Sequence, residues 1–430
     1  MTFKKLSPAG LATLLLLLTP LTAAAHVKWF ADFNFGDRPR TLTEIATPTF
    51  FALAAFSTIV IAGFVLLDRR LEHLAWYKGL NEWLMAQRQH SLLVMRIAIA
   101  AVLLILWATD NILAPELTAT IPGLAWAQFV IAILLLFPQT TPFAGGGILL
   151  LFVISIFEFG LFHMLDYVHY LGIGFFLLVS QLKEARWREL GLPALFAAVG
   201  FSLCWLALEK LVYPTWGMYL LEQNPQLTLG FPPEFFLVGA AFVEFCLGYL
   251  LIIGLLERPL SLIITLVFFT TTLVFGRLEV IGHTPLHAAL IVFLLNGPGT
   301  LYKPPIAIHN RLNWRTAFAA VNFVLLLAIM SVGYTASAQQ QFETAVAASR
   351  HATQQIDLTG SENLPSLSLN VTNDGPSSYN LEVITEHFRF TPENTGQELV
   401  LGEGHAHLYI NGQKEARLYA PWYHLGTLEP

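Results

Sequence analysis

The sequence predicts an α-helical polytopic membrane protein of about ten transmembrane helices, mostly in tandem four-helix bundles, with a small all-β external C-terminal domain. Hydrophobic residues make up 55% of the 430 residues and charged residues only 12%, which is about half the charged fraction of ordinary soluble domains. Apolar runs long enough to cross a bilayer recur from residue 50 to residue 335. From residue 364 the sequence alternates apolar and polar residues, as in LSLNV and NLEVI, which is typical of strands.

The charge balance and the cysteines exclude two classes of function. The formal net charge is −6, and the chain lacks a basic run of the kind that nucleic-acid binding needs. Cys204 and Cys246 both fall in apolar runs. The sequence therefore predicts neither a disulfide framework nor a cysteine-based zinc site.

Residues 1–25 are predicted to be a signal peptide. Lys4 and Lys5 precede the short apolar run LATLLLLLTPL, and Ala23-Ala24-Ala25 supplies an A-x-A cleavage site. The alternative is an uncleaved anchor, although the run is short for a span. Cleavage would make His26 the start of an external segment, residues 26–48, and its amine and ring nitrogen could then hold one copper ion.

Ten spans follow the signal peptide, each close to the ~20 residues that cross the hydrocarbon core. They are predicted at 49–67, 91–109, 121–138, 144–161, 164–181, 193–212, 233–256, 259–276, 279–296 and 316–335.

The distribution of Lys and Arg orients these spans. The loops rich in basic residues, such as 68–90, all fall on one side, whereas loops 110–120 and 213–232 contain no Lys or Arg. The basic side is therefore predicted to be cytoplasmic, in a bacterial cytoplasmic (inner) membrane. Ten spans return the chain to its starting side, so both ends of the mature protein are predicted to be periplasmic.

An internal repeat groups eight of the spans into two units. Residues 159–178 align without gaps with residues 275–294 from a shared Phe-Gly, which places His163 over Glu279. The repeat predicts two four-helix units that follow one another in parallel orientation. The predicted domains are the first span 49–67 with its cytoplasmic loop 68–90, unit 1 at 91–182, unit 2 at 193–297, the last span 316–335, and the external linker and β domain 336–430.

Ionisable side chains inside transmembrane spans are expensive to bury and are functional candidates by default. Glu279, His283 and His287 recur at every fourth residue and so share one helix face. Such groups could bind a metal ion, relay protons or hydrogen-bond a quinone. The alternative is that they only pair with other charges, such as Glu279 with Arg277. The predicted intramembrane cluster is Glu158, His163, Asp166, His169, Glu209, Glu244, Glu279, His283 and His287.

A second candidate site lies in the predicted β domain. His405 and His407 project from the same face of a strand, and His387 and His424 could join them. An H-x-H pair with additional histidines suits copper first and zinc second. The alternative is two solvated histidines beside a turn. The predicted metal ligands are His405, His407, His387, His424 and His26.

Parts of the chain resemble known families. The stretches WLALEKLVYP, VEFCLGYLLIIGLLERP and FGRLEVIGHTPLHAAL resemble the DoxX-like family of four-helix bacterial membrane proteins, over about half of the chain. This resemblance implies a redox context, since the family is associated with quinone-linked sulfur oxidation. The tail HFRFTPENTGQELVLGEGHAHLYINGQKEARLYAPWYHL is similar to periplasmic modules of the cupredoxin-like β-sandwich type.

Three functions are compatible with the sequence, and it leaves open whether the protein is an enzyme. The first is an inner-membrane protein with a periplasmic metal-binding domain, preferably for copper, and a quinone- or metal-linked redox role, with a periplasmic redox or metal-carrier protein as partner. The second is a non-catalytic membrane subunit or scaffold whose periplasmic domain docks a partner. The third is a transporter of a metal or small solute with its site between the two repeats.

Overall fold

The computed structural model describes residues 26–31, 33–297, 303–352, 364–375, 378–392, 400, 402–410 and 413–426. The predicted signal peptide lies outside these residues. The chain divides into two compact units, one ending at Ser349 and one beginning at Arg350.

The first unit is helical. Short 3₁₀ turns, including Val27–Trp29 and Leu165–Tyr167, connect its α-helices. In chain order these are α1 (Leu42–Ile45), α2 (Pro48–His73), α3 (Ala75–Ala86), α4 (Ser91–Ala108), α5 (Leu124–Leu136), α6 (Thr141–Phe159), α7 (Leu161–Met164), α8 (His169–Val179), α9 (Ala185–Val212), α10 (Pro214–Gln223), α11 (Pro233–Ile253), α12 (Glu257–Phe275), α13 (Arg277–Asn296) and α14 (Leu312–Ala352).

The predicted helical membrane fold is confirmed. Among the described residues, eight helices are long and apolar enough to cross a membrane, and a ninth span is the pair Leu161–Tyr167 and His169–Val179, bent by 61°. The predicted span 121–138 corresponds to α5, which has only 13 residues. The predicted loop 68–90 is mostly helical, because α2 continues to His73 and α3 follows it. The polar residues of 68–90 indicate that the chain leaves the bilayer there. A helix can continue beyond the bilayer, because polar residues alone do not end a helix.

The outer surface of the helical unit is apolar, as lipid contact requires. Phe157 is 85% exposed and Leu273 is 87% exposed, although both lie within spans. Two acidic side chains show the opposite pattern, since Asp166 and Glu279 are fully buried. A soluble protein would not expose such large apolar side chains over so much of its surface. The unit is therefore an integral membrane bundle with a polar interior.

Glycines let two helices approach closely beside this interior. A Cβ atom added to Gly248 on α11 would lie 2.6 Å from the carbonyl oxygen of Gly200 on α9, closer than real Cβ contacts allow. Small residues at such crossings bring helix backbones together where lipid supplies no hydrophobic driving force. The contact fixes α9 against α11, and these helices carry Glu209 and Glu244.

Two buried arginines satisfy the carbonyl groups at helix ends. Arg96 on α4 donates from Nε to Leu135 O at 2.9 Å and from Nη2 to Leu136 O at 2.8 Å, at the end of α5. Arg258 on α12 donates from Nε to Leu294 O at 2.8 Å near the end of α13. Carbonyls in the last turn of a helix lack partners within the helix, so each arginine caps its neighbouring helix.

The second unit contains the small β region that the sequence predicts. Its strands form one three-stranded antiparallel sheet in the order β1-β2-β7, one parallel pair β3-β4 and one antiparallel pair β5-β6. The strands are β1 (Ser366–Gly375), β2 (Ser378–Glu386), β3 (Arg389–Phe390), β4 (Glu403–Gly404), β5 (Ala406–Ile410), β6 (Gln413–Leu418) and β7 (Trp422–Leu425).

Candidate functional site

Two glycines at helix starts position the polar side chains of the bundle. Gly160 has a φ angle of 83° and precedes α7, and Gly276 has a φ angle of 72° and precedes α13. Positive φ angles favour glycine because a side chain would clash with the backbone. These are the glycines of the aligned Phe-Gly pairs. The helical segments that follow them carry His163, Asp166 and His169 in one case and Glu279 and His283 in the other.

The N-terminal segment, residues 26–37, packs into the same region of the bundle. His26, Val27 and Lys28 are buried, at 7%, 1% and 3% exposure. Farther along, Trp216 Nε1 donates a hydrogen bond of 2.8 Å to Asp37 Oδ2. The sequence predicts this segment to be external, whereas in the structure its first residues are buried in the core of the helical bundle.

Lys28 holds this segment in place through two carboxylates. Its Nζ lies 2.6 Å from Asp166 Oδ2 and 2.7 Å from Glu209 Oε2. Burial alone would lower the pKa of Lys28, but the two carboxylates outweigh this effect and raise the pKa above its usual value. Lys28 is therefore an ammonium ion in the folded protein, and it neutralises charges contributed by two other segments of the chain.

Aromatic rings surround His26. Its ring stacks on Trp29 at a centroid distance of 4.5 Å and on Tyr167 at 5.5 Å, and Trp29 Nε1 donates to the Tyr167 hydroxyl at 3.1 Å. Neither ring nitrogen of His26 has a hydrogen-bond partner among the described residues. Burial and the neighbouring charge of Lys28 keep the pKa of His26 well below its usual value, so the ring is neutral and can act as a metal ligand.

Two further pairs of ionisable groups lie next to this segment. Lys210 Nζ is 2.6 Å from Glu244 Oε2, and His283 Nδ1 is 3.3 Å from Glu279 Oε1. Arg277, the partner that sequence considerations suggested for Glu279, is instead exposed. The contact between Glu279 and His283 runs along one helix face, at the i, i+4 spacing that the sequence indicates, but it does not have the geometry of a hydrogen bond.

These groups surround one small cavity of about 30 Å³. Several buried polar atoms around it have no hydrogen-bond partner within the described part of the chain, among them both oxygens of Glu279 and Nε2 of His169. Buried polar atoms in native proteins are almost always satisfied, so such a group of exceptions indicates a bound water or ion. The ionisable side chains lining the cavity include His26, Asp166, His169, Glu209, Lys210, Glu244, Glu279 and His283.

A polar branch leads away from the cavity through Tyr167. The Tyr167 hydroxyl donates to Glu116 Oε1, and His163 Nε2 lies 3.6 Å from the same oxygen. Burial, with a smaller contribution from Asp166, raises the pKa of Glu116 to about 8. Glu116 is therefore largely protonated at neutral pH and lies beside His163 and the Tyr167 hydroxyl.

The structure brings together six of the nine residues of the predicted intramembrane cluster, and three others lie elsewhere. Glu158 accepts hydrogen bonds from the loop after α4, at 2.6 Å from Thr120 Oγ1, and His163 contacts Glu116. His287 packs against the ring of Phe269 at 5.2 Å. The cavity-lining members are Asp166, His169, Glu209, Glu244, Glu279 and His283.

Sequence reasoning missed Lys28, Lys210, Trp29 and Glu116. Lys210 could have been found, because it is a charged residue inside the predicted span 193–212. No neighbouring sequence feature marks the other three as functional. Lys28 and Trp29 follow a predicted cleavage site, and Glu116 lies in a predicted loop.

The tail histidines form one close pair. His405 Nε2 and His407 Nε2 are 3.0 Å apart. His387 has a φ angle of 54°. Its carbonyl oxygen packs against Gly402, 3.0 Å from where a Cβ atom on that glycine would lie. His424 lies in β7, where its Nδ1 is 2.9 Å from Asn380 Oδ1. Within the described ranges, no group of three or more His, Cys, Asp or Glu side chains has the spacing of a complete metal site.

Comparison with known proteins gives one match. The DoxX family model matches residues 191–277, from within α9 to the first residue of α13. No curated protein and no solved structure matches the chain. The predicted resemblance is thus confirmed for most of unit 2. The duplication in unit 1 and the cupredoxin-like character of the tail stay predictions.

Proposed function

We propose that this integral membrane protein binds a transition-metal ion, copper in preference to zinc, in the cavity beneath its N-terminal segment and captures the same metal at the histidine pair of its C-terminal β region. It acts in the inner membrane of a bacterium, with both sites on the periplasmic side, as the distribution of basic residues and the predicted signal peptide favour.

The observation that carries this proposal is the group of unsatisfied polar atoms around the cavity. Three imidazoles (His26, His169 and His283) and the Glu279 carboxylate line it, while Lys28 neutralises Asp166 and Glu209. Imidazole with carboxylate is a donor set that suits copper and zinc. The donors line the cavity without converging, so binding would draw two or three of them inward. Copper would supply one-electron redox chemistry when bound, whereas zinc would not.

The size of the cavity favours an ion over an organic ligand. Its volume of about 30 Å³ leaves room for a few water molecules or an ion. Sites for organic molecules usually measure about 300–1,000 Å³. Binding of a quinone head group therefore stays a prediction, and the size of this cavity does not favour it.

The histidine pair in the tail supports the capture step. Zinc lies about 2.0–2.1 Å from imidazole nitrogens. With His405 Nε2 and His407 Nε2 at 3.0 Å, the N–metal–N angle for a metal at that distance from both would be roughly 95°. That angle is ordinary for two neighbouring ligands, and the metal would replace the N–H···N contact between the rings.

Metal binding by the full-length protein in detergent tests the proposal. After chelation, the protein is titrated with copper and with zinc, and bound metal is counted by mass spectrometry. We expect two sites, one lost in the His405→Ala/His407→Ala variant and the other in Glu279→Gln/His283→Phe. His287→Phe is the matched control, because His287 lies one turn from His283 and outside the cavity. If both double variants bind as much metal as the control, the proposal is wrong.

A transporter is the second candidate, and the position of the cavity favours it. The lining comes from α8 on one side and from α9, α11, α12 and α13 on the other, which belong to the two predicted repeat units. Sites of many transporters lie between repeats. Uptake of copper into vesicles containing the purified protein would support transport. Tight stoichiometric binding without uptake would favour the resident metal site.

A further inference from the structure

The short helix α3 is a separate element between the span α2 and the span α4. α2 ends at His73, and α3 begins at Ala75. Leu74 between them has an extended backbone, with a φ angle of −78° and a ψ angle of 125°. Because an extended residue interrupts a helix, α3 starts in a direction of its own and does not prolong the span.

One face of α3 packs against the bundle. Leu84 is 7% exposed, and Tyr77 and Asn81, which precede it by seven and three residues, are partly buried. Residues at this spacing share one helix face. The neighbour of α3 among the later helices is α13.

A second face of α3 carries large apolar side chains that the bundle does not cover. Trp76, Leu80 and Trp83 are 63%, 42% and 61% exposed, and their spacing places them in one stripe, called here the apolar stripe. A third face is polar, since Lys78 and Glu82 are one turn apart and both are exposed. Separate apolar and polar faces are typical of amphipathic helices that lie in the plane of a membrane surface.

We propose that α3 lies in the headgroup region of the membrane, on the side where α2 leaves the bilayer, with the apolar stripe inserted at the boundary with the acyl chains. The stripe continues a surface that already faces lipid, because Phe56 and Leu66 in the span α2 are 62% and 48% exposed. Two of its three side chains are tryptophans, which are enriched at the level of lipid headgroups.

The charges around α3 fit an anionic lipid surface better than a second copy of the chain. The exposed charged residues of this region are four basic and two acidic ones, namely Arg69, Arg70, Lys78, Arg88, Glu72 and Glu82. Anionic headgroups attract basic residues close to a membrane. In a symmetric dimer formed through the stripe, the same excess of positive charge would face itself.

Spin labels on two faces of α3 test this proposal. Leu80→Cys on the stripe and Glu82→Cys on the polar face are labelled with a nitroxide, in the full-length protein reconstituted in vesicles of phosphatidylethanolamine and phosphatidylglycerol. Power saturation compares collisions with oxygen, which concentrates among acyl chains, and with a water-soluble nickel complex. We expect a several-fold higher ratio of oxygen to nickel collisions at Leu80→Cys, because that side chain faces the lipid.

Two reference measurements make the result decisive. Phe56→Cys in α2 gives the ratio for a lipid-facing position, and the wild type gives the background from Cys204 and Cys246, which are buried and partly buried. A ratio at Leu80→Cys as low as at Glu82→Cys would overturn the proposal. Few collisions with either reagent would also overturn it, since the stripe would then be covered by protein.

Removal of the two tryptophans tests whether they hold α3 in the membrane. In the Leu80→Cys protein, Trp76→Ser/Trp83→Ser should lower the ratio toward the value of the polar face, because most of the exposed apolar surface of the stripe is lost. Ala75→Ser/Ala86→Ser adds two serines at exposed positions outside the stripe and should leave the ratio unchanged. Equal ratios in these two variants would contradict anchoring by the tryptophans.

Discussion

Lys28 and Asp166 are 138 residues apart in the sequence, and their Nζ and Oδ2 atoms lie 2.6 Å apart inside the bundle. Glu209 is the second partner of the same ammonium group. The N-terminal segment is therefore bound to two membrane-spanning parts of the chain by buried charge, and His26, Val27 and Trp29 of this segment line the cavity.

Removal of the Lys28 charge should destabilise the protein strongly. In Lys28→Met, Asp166 and Glu209 would face each other without a cation, and loss of one partner of a buried ion pair costs about 3–5 kcal/mol. The measurement is thermal unfolding in detergent. Lys78→Met, at an exposed position, is the control. Adding Asp166→Asn and Glu209→Gln should restore part of the stability, and equal stability of Lys28→Met and the control would contradict the ion-pair account.

Gly282 should be essential for docking of the N-terminal segment. A Cβ atom there would overlap the Trp29 indole, so Gly282→Leu should displace Trp29 and expose Lys28. Amine-reactive labelling with peptide mass spectrometry checks this, since Lys28 is 3% exposed in the folded protein. Gly239→Leu, where a Cβ meets nothing within 4 Å, should leave Lys28 protected. Protection of Lys28 in both variants would show that the indole can move without undocking the segment.

Glu116 should make stability fall as the pH rises. Its pKa is raised from 4.5 to about 8 in the folded protein, so the folded state binds a proton that the unfolded state releases between these values. Stability from this group is complete below about pH 4.5 and is lost progressively up to about pH 8. Glu116→Gln should flatten the dependence of the unfolding temperature on pH in this window. Glu184→Gln, at an exposed position, should leave the slope unchanged, and the same slope in all three proteins would refute the assignment.

Arg96 should stabilise α5 through its two carbonyl partners. Arg96→Met would leave the buried Leu135 O and the partly buried Leu136 O without this donor. A buried group left unsatisfied costs about 1–3 kcal/mol. Thermal unfolding of the variant against Arg88→Met, an exposed position, measures the effect. We expect the control to stay within about 0.5 kcal/mol of the wild type. A variant as stable as that control would mean that the carbonyls find other donors.

Part of the candidate site can be predicted from the sequence. Whether a given residue can be predicted depends on the local structure around it. The sequence predicts Glu279 and His283 together, because residues four apart on a helix lie on the same face. The same reasoning includes His163, but His163 lies in the short helix α7, which gives way to a 3₁₀ turn at Leu165–Tyr167, and its Nε2 faces Glu116 instead of the cavity. Periodicity assumes one straight helix, and this span is not straight.

The order of residues is enough to establish that this chain forms a membrane bundle with a separate β region, because apolar runs of span length must satisfy their backbone hydrogen bonds internally as helices. It also locates the two Phe-Gly sites, since glycine is the residue that accepts positive φ angles. The entry of the N-terminal segment into the bundle, where Lys28 meets Asp166 and Glu209, became visible only in the folded chain. A buried charge is tolerated only beside its counter-charges, and here those come from segments that are remote in sequence.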